Sequence, residues 1–162
     1  MTDHKKFEVK SNISVHEENL RSSFEDKFKS SPLSTFEMLS NLQLFMKRQN
    51  VARLLHFDDL YKKILNVHGE IMEFGVRWGP NLALFSSLRG IYEPYNYTRK
   101  VVGFDTFEGF SDVHAKDGSS SVISEGSYAV SDSYEKYLEE VLAYHESEAP
   151  LPHIKKFEIV KG

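Results

Sequence analysis

The sequence predicts an α/β fold: the N-terminal half of a doubly wound, Rossmann-like parallel sheet with strand order 3-2-1, preceded by helices. Three observations predict it. From about residue 69 onward, short apolar runs alternate with amphipathic runs of helical length. Such alternation implies parallel strands joined by right-handed crossovers. The first apolar run gives way to a glycine-containing turn, "EFGVRWGPN" at residues 73–81, and then to a helix-like run. The second, within "VVGFDTFEGF" at residues 101–110, carries an acidic residue, Asp105, where the strand should end.

Residues 1–31 are polar, charged and serine-rich, with single hydrophobes such as Phe24 and Phe28. They read as a flexible arm with at most one weak helix around residues 17–29. Residues 32–68 read as a helical lead-in. In "PLSTFEMLSNLQLFMKR", Ser34 is placed as N-cap and Glu37, three residues on, completes a capping box. Phe36, Leu39, Leu42 or Gln43, and Met46 recur at helical spacing. "NVARLLHFDDLYKKILNVHG" is predicted to start at Asn50 and to gather Val51, Leu54, Leu55, Leu60, Tyr61, Ile64 and Leu65 on one face, with Gly69 as a stop.

Residues 69–162 form the predicted ligand-binding half-domain. "EIMEFGV" suits a buried strand. "GPNLALFSSLRGIYEP" follows as a helix, with Pro80 in its first turn and Pro94 ending it. "KVVGFD" is the second strand. A long Ser-, Gly- and Asp-rich loop runs from Thr106 to about Ser131. "SDSYEKYLEEVLAYHESEAP" is an amphipathic helix with Tyr134, Tyr137, Leu138, Val141 and Leu142 inward, and "KKFEIVKG" is the third strand.

Composition narrows the function. The 162 residues suit one domain, and 40% apolar with 27% charged residues fit a globular chain. The net charge of −4, with no basic stripe, makes nucleic acid a poor partner. With no cysteine there are no disulfides, thiolate metal sites or cysteine nucleophiles, and a reducing compartment fits. No secretory h-region and no membrane-length apolar run is present, so the expectation is a soluble cytoplasmic protein. None of the seven histidines falls in a ligand pattern; His114 and Asp117 share a loop that reads as solvated. The tyrosines at 92–97 and 128–144 read as packing and surface cover rather than acceptor contacts. The stretch 116–130 reads equally as a lid or as a plain connection.

In a sheet of this kind, ligands sit beyond the carboxyl ends of the strands. Glycine after the first strand lets backbone approach a ligand closely. The following helix aims its free N–H groups at the same place. Gly75, Gly79 and the Asn81 amide hold those positions. Asp105 can accept hydrogen bonds from both ribose hydroxyls. About thirty residues separate it from Glu73, against about twenty in dinucleotide folds, the excess lying in the insert "YEPYNYTRK". The pattern is E-x-G-x-x-x-G, with Arg77 where a pyrophosphate cradle wants its middle glycine. A ligand with a ribose, a base and an amino-acid tail, such as S-adenosylmethionine, tolerates Arg77 better, and Glu73 can face its positive end. A glycine-containing turn alone is more often plain architecture than a cofactor site; Asp105 at the end of the second strand is what brings the cofactor reading level with it.

With these residues in place, "GEIMEFGVRWGPNLALF" followed by "VVGFDTFEGF" resembles the class I S-adenosylmethionine-dependent methyltransferases of the macrocin O-methyltransferase type. The resemblance rests on Gly69, Glu73, Gly75, Val76 and Gly79, then on Asp105, Thr106, Phe107, Glu108, Gly109 and Phe110, and covers roughly residues 33–162. It implies that Glu73, Gly75, Gly79 and Asn81 line the methionine end of the cofactor, and that Asp105 holds the ribose with Thr106 and Phe107 beside it; Arg77, between the two glycines, completes the expected cofactor-binding set. It also implies O-methylation of a hydroxyl on a sugar, glycan or natural product. Magnesium is expected only with a C-terminal half that supplies the aspartate ligands and the base. Catalytic residues are unknown within these residues.

The sequence departs from the family pattern in three places. Pro80 and Asn81 replace a small pair at the helix start, the insert before the second strand is tyrosine-rich, and the chain stops at Gly162 before a fourth strand. The expectation is therefore an N-terminal part of a longer enzyme, by itself inactive, with the first strand an open apolar edge and homo-oligomerisation possible. Two other classes stay open: a nucleotide- or NAD-binding domain, and a non-catalytic binding domain that keeps the fold.

Overall fold

The computed structural model describes residues 13–110, 113–114 and 124–162. The described chain clusters into two compact units, one within Val9–Arg53 and one comprising Leu54–Gly162.

In the first unit, α1 spans Val15–Lys29 and opens on a capping box. Ser14 Oγ accepts the Glu17 N–H at 3.3 Å, and the Glu17 carboxylate accepts the Ser14 N–H at 2.9 Å. Phe24 and Phe28 are not isolated, since both rings pack on Phe45. The single helix expected from "PLSTFEMLSNLQLFMKR" is instead two pieces, α2 at Thr35–Ser40 and a 3-10 turn at Leu42–Phe45. Ser34 does cap α2 through the Glu37 N–H. Asn41 ends it: its side-chain amide donates to the Glu37 carbonyl at 2.8 Å, and its own N–H tightens onto Met38 at 3.2 Å. A polar side chain that bonds nearby backbone in this way competes with the helical ladder.

The next helix, α3, spans Arg48–Ile64 and ends short of the expected glycine stop. Of its expected apolar face, only Tyr61 is buried, while Leu55 and Leu60 are exposed. Just past α3 the chain is gathered by Arg99. Its guanidinium donates to the carbonyls of Ile64, Val67 and Gly69 at 2.8–3.1 Å, and the Ile64 carbonyl also accepts the Val67 N–H at 2.9 Å. Glu93 holds that guanidinium, and Tyr61 OH and the Asn96 amide donate to the same carboxylate. The tyrosine-rich insert thus contains a polar clamp, with Tyr95 and Tyr97 left at the surface.

The sheet is β1 (Ile71–Phe74), β2 (Val101–Asp105) and β3 (Phe157–Lys161), all parallel, with β2 central. Two helices complete the alternation, α4 at Pro80–Tyr92 and α5 at Tyr134–Ser147. The expected α/β class and strand order both hold. The core between helices and sheet is Val76, Leu82, Val101, Phe107, Leu138, Leu142 and Phe157. Gly103 makes the close approach of α4 possible, because a Cβ there would lie 2.6 Å from Leu82 and 2.7 Å from Val76. The buried stripe of α5 is Leu138, Leu142 and Glu146, at i, i+4 and i+8. Tyr137, expected inward, is offset from that stripe by about 100° and is exposed. Glu146 accepts from Arg89 at 2.9 Å and Lys156 at 2.6 Å, so one buried carboxylate ties α4 and the approach to β3 to α5.

β1 is an edge strand of this sheet. Met72 and Phe74 lie exposed on it, and Phe74 stacks on its register partner Phe104 at 4.9 Å.

Candidate functional site

The turn between β1 and α4 is wound by left-handed backbone. Gly75, Arg77 and Gly79 have φ of 82°, 51° and 71°. Between them, Val76 drops into the core and Trp78 stays at the surface. Glycine tolerates such φ without strain, whereas Arg77 is held there by what it binds. Its N–H donates to Asp105 Oδ2 at 2.7 Å. The Phe107 N–H donates to Asp105 Oδ1 at 2.6 Å, so each carboxylate oxygen anchors one turn and keeps a further lone pair.

After β2 the chain makes a second tight turn. Thr106 Oγ1 donates to the Gly109 carbonyl at 3.1 Å and accepts the Glu108 N–H at 3.2 Å. Gly109 must be glycine, since its φ is 78° and a Cβ would lie 2.3 Å from the Ser127 carbonyl oxygen. That approach lets residues 126–130 pair back along the turn. Gly126 N–H donates to Phe110, Phe110 N–H to Ser127 and Val130 N–H to Phe107, at 3.0–3.2 Å.

These turns enclose a cleft of about 510 Å³, lined by Gly75, Arg77, Phe104, Asp105, Thr106, Gly109, Phe110 and Tyr128. That volume lies within the range of small-molecule sites, about 300–1,000 Å³. One wall is polar, with Asp105, Thr106 and the turn backbone. The other is aromatic, with Phe110 and Tyr128 edge to face at 5.6 Å and Phe104 at the floor.

Of the eight residues singled out from the sequence, Gly75, Arg77, Asp105 and Thr106 meet in this cleft. The other four do not line it. Asn81 Nδ2 donates to Glu73 Oε1 at 2.5 Å, joining α4 to β1. Gly79 is buried under Leu138. Phe107 turns its ring into the core and offers only its N–H. Phe104, Gly109, Phe110 and Tyr128 complete the lining. Gly109 and Phe110 stand in the sequence only as motif letters, and Tyr128 lacks any local signal, because the Phe110–Ser127 hydrogen bond is what brings it back.

Among the described residues, no group of three or more His, Asp or Glu side chains is arranged to hold a metal ion. No described helix is long and apolar enough to cross a membrane. Asp117 and residues 116–123 of the stretch considered as a lid lie outside the described residues.

No protein-family model matches the chain, and no curated protein does. Solved structures do. The crystal structure of CalS11, a calicheamicin methyltransferase, is 39% identical, with a TM-score of 0.87, over 100% of this chain and 63% of that one. The apo structure of CalS11, described as a TDP-rhamnose 3′-O-methyltransferase in calicheamicin biosynthesis, is 37% identical, with a TM-score of 0.75, over 94% of this chain and 57% of that one. This chain therefore spans less than two thirds of the length of those relatives. The likeness supports the methyltransferase family.

Proposed function

We propose that the chain carries the cofactor-binding part of an S-adenosylmethionine-dependent O-methyltransferase of the macrocin type, acting on a hydroxyl of a sugar, glycan or natural product. The observation that carries this reading is Asp105. It stands at the end of the central strand, in a cleft with a glycine turn on one side and an aromatic wall on the other.

The cleft fits an adenosyl group. Asp105 accepts from the ribose hydroxyls through the lone pairs that the Arg77 and Phe107 amides leave open. Phe110 and Tyr128 offer ring faces and edges to a purine. Residues 75–79 lead from there toward Glu73, whose charge suits the ammonium or sulfonium of the methionine end. When bound, S-adenosylmethionine supplies a methyl group on a sulfonium sulfur for in-line attack by an acceptor oxygen. The chain's own part in this is to bind and orient it. In this reading residues 69–162 are the cofactor half-domain and 32–68 its lead-in. Magnesium belongs with acceptor chemistry in a longer enzyme. The sugar acceptor is suggested by the CalS11 likeness.

The same turn speaks against a dinucleotide. The N–H groups of Gly75, Arg77 and Gly79 are spent on Phe104, Asp105 and Val76, and Pro80 has none. A pyrophosphate cradle draws on such turn groups as well as on the helix N-terminus. Titration calorimetry with S-adenosylhomocysteine and with NAD is the test. Binding of the first and not the second is expected. Binding of NAD alone would overturn the proposal.

A further inference from the structure

We propose that Arg77 and Tyr128 form a clasp across the mouth of the cleft, and that this clasp sets how long an adenosyl ligand stays bound. The inference rests on the reading of the cleft given above.

The two residues sit on opposite walls, Arg77 on the turn after β1 and Tyr128 on the segment that pairs back along the turn after β2. The Arg77 guanidinium carbon lies 4.9 Å from the centre of the Tyr128 ring, within cation–π range. Neither residue is glycine, yet both hold left-handed backbone, at φ 51° and 68°. Phe107, whose N–H shares Asp105 with Arg77, is a third, at φ 61°. Non-glycine residues in this region are uncommon, and they gather at ligand clamps where surrounding contacts over-determine them. Here two of the three donate their N–H to one carboxylate, and the third lines the same cleft.

The backbone of each wall is fixed independently of the clasp. Asp105 holds the Arg77 amide, and the pairing of Gly126, Ser127 and Val130 holds the Tyr128 segment. The guanidinium therefore adds little to the fold. What it adds is a removable bridge over a cleft whose walls stay put. It reaches Tyr128 on one side and lies 5.8 Å from the Trp78 ring on the other. A ligand seated on Asp105 then leaves more slowly while the bridge is closed.

Trp78 is the only tryptophan in the chain, so its emission reports the bridge directly. The test is stopped-flow dissociation of S-adenosylhomocysteine from the full 162-residue chain, followed by that emission and checked by calorimetry. Arg77→Gly removes the guanidinium and relieves the left-handed backbone. It is expected to leave the melting temperature unchanged or raised while speeding dissociation about tenfold. Tyr128→Leu should speed it similarly, Tyr128→Phe should keep the slow rate, and the Arg77→Gly, Tyr128→Leu double variant should be no faster than either alone. Unchanged dissociation in Arg77→Gly, or effects that multiply in the double variant, would overturn the clasp alone. A wild-type chain that binds no S-adenosylhomocysteine would overturn the adenosyl reading and the clasp with it.

Discussion

The Arg77 N–H reaches Asp105 Oδ2 at 2.7 Å, joining the turn after β1 to the last residue of β2. A single carboxylate thereby shapes the cleft it also serves. An acidic residue at this strand end is structural before it is functional, and its two roles separate by substitution.

Asp105→Asn keeps the shape but replaces one accepting oxygen with a donor that faces an N–H. We expect a loss of about 1–3 kcal/mol in unfolding free energy, because one of the two anchored amides loses its acceptor. Affinity for S-adenosylhomocysteine should fall more than tenfold. Denaturant titration and calorimetry on the same preparation check both. An affinity loss without any stability loss would contradict the anchoring role.

The two glycines of the turn should respond differently to alanine. Both have positive φ, but a Cβ at Gly79 would lie 2.5 Å from Leu138 Cδ1, whereas at Gly75 nothing lies within 4 Å. Gly75→Ala is expected to cost about 1 kcal/mol of backbone strain. Gly79→Ala should cost that and a further 1–3 kcal/mol, roughly, from displaced core packing. Equal melting temperatures for the two variants would sink this reading.

Glu146 pairs with two buried cations, Arg89 and Lys156. Glu146→Ala strands both charges and should destabilise the chain by about 3–5 kcal/mol. Exposed Glu139, paired with Lys155 at the surface, should cost less than about 1 kcal/mol on the same change. Parallel denaturation curves decide the ordering.

Glu93 predicts acid sensitivity. Burial raises its carboxyl, but hydrogen bonds from Arg99, Tyr61 and Asn96 outweigh that, so its pKa lies below the ordinary value of 4.5. A carboxylate depressed in the folded state stabilises above its unfolded pKa, and that contribution is lost as pH falls through the folded one. The stability difference between wild type and Glu93→Gln should therefore be constant from about pH 7 to about pH 5 and shrink below about pH 4.5. A difference that stays the same down to about pH 3 would contradict it.

Much of this was legible in the sequence because it is local. Period and punctuation gave the three strands, Pro80 gave the start of α4, and the strand-end position of Asp105 gave the cleft its acidic residue. What stayed hidden depends on contacts distant in sequence. Arg99 holds the carbonyls at and beyond the end of α3 from more than thirty residues away. Tyr128 enters the cleft only because Gly109 lets the Ser127 carbonyl approach. Phe107 stands in the motif beside Asp105, yet its ring goes to the core, since one left-handed residue reverses where the side chain points. Asn41 broke a helix whose apolar spacing continued through it, because side-chain hydrogen bonding outcompeted periodicity.

The central claim is that an adenosyl ligand binds where β1 and β2 end. Amide NMR perturbation by S-adenosylhomocysteine tests it most directly. Shifts centred on Gly75, Arg77, Asp105, Thr106 and Gly109 are expected, with the groove beside α5, at Glu139, Ala143 and His153, unmoved. Shifts confined to that groove, or no shifts at saturating ligand, would contradict it.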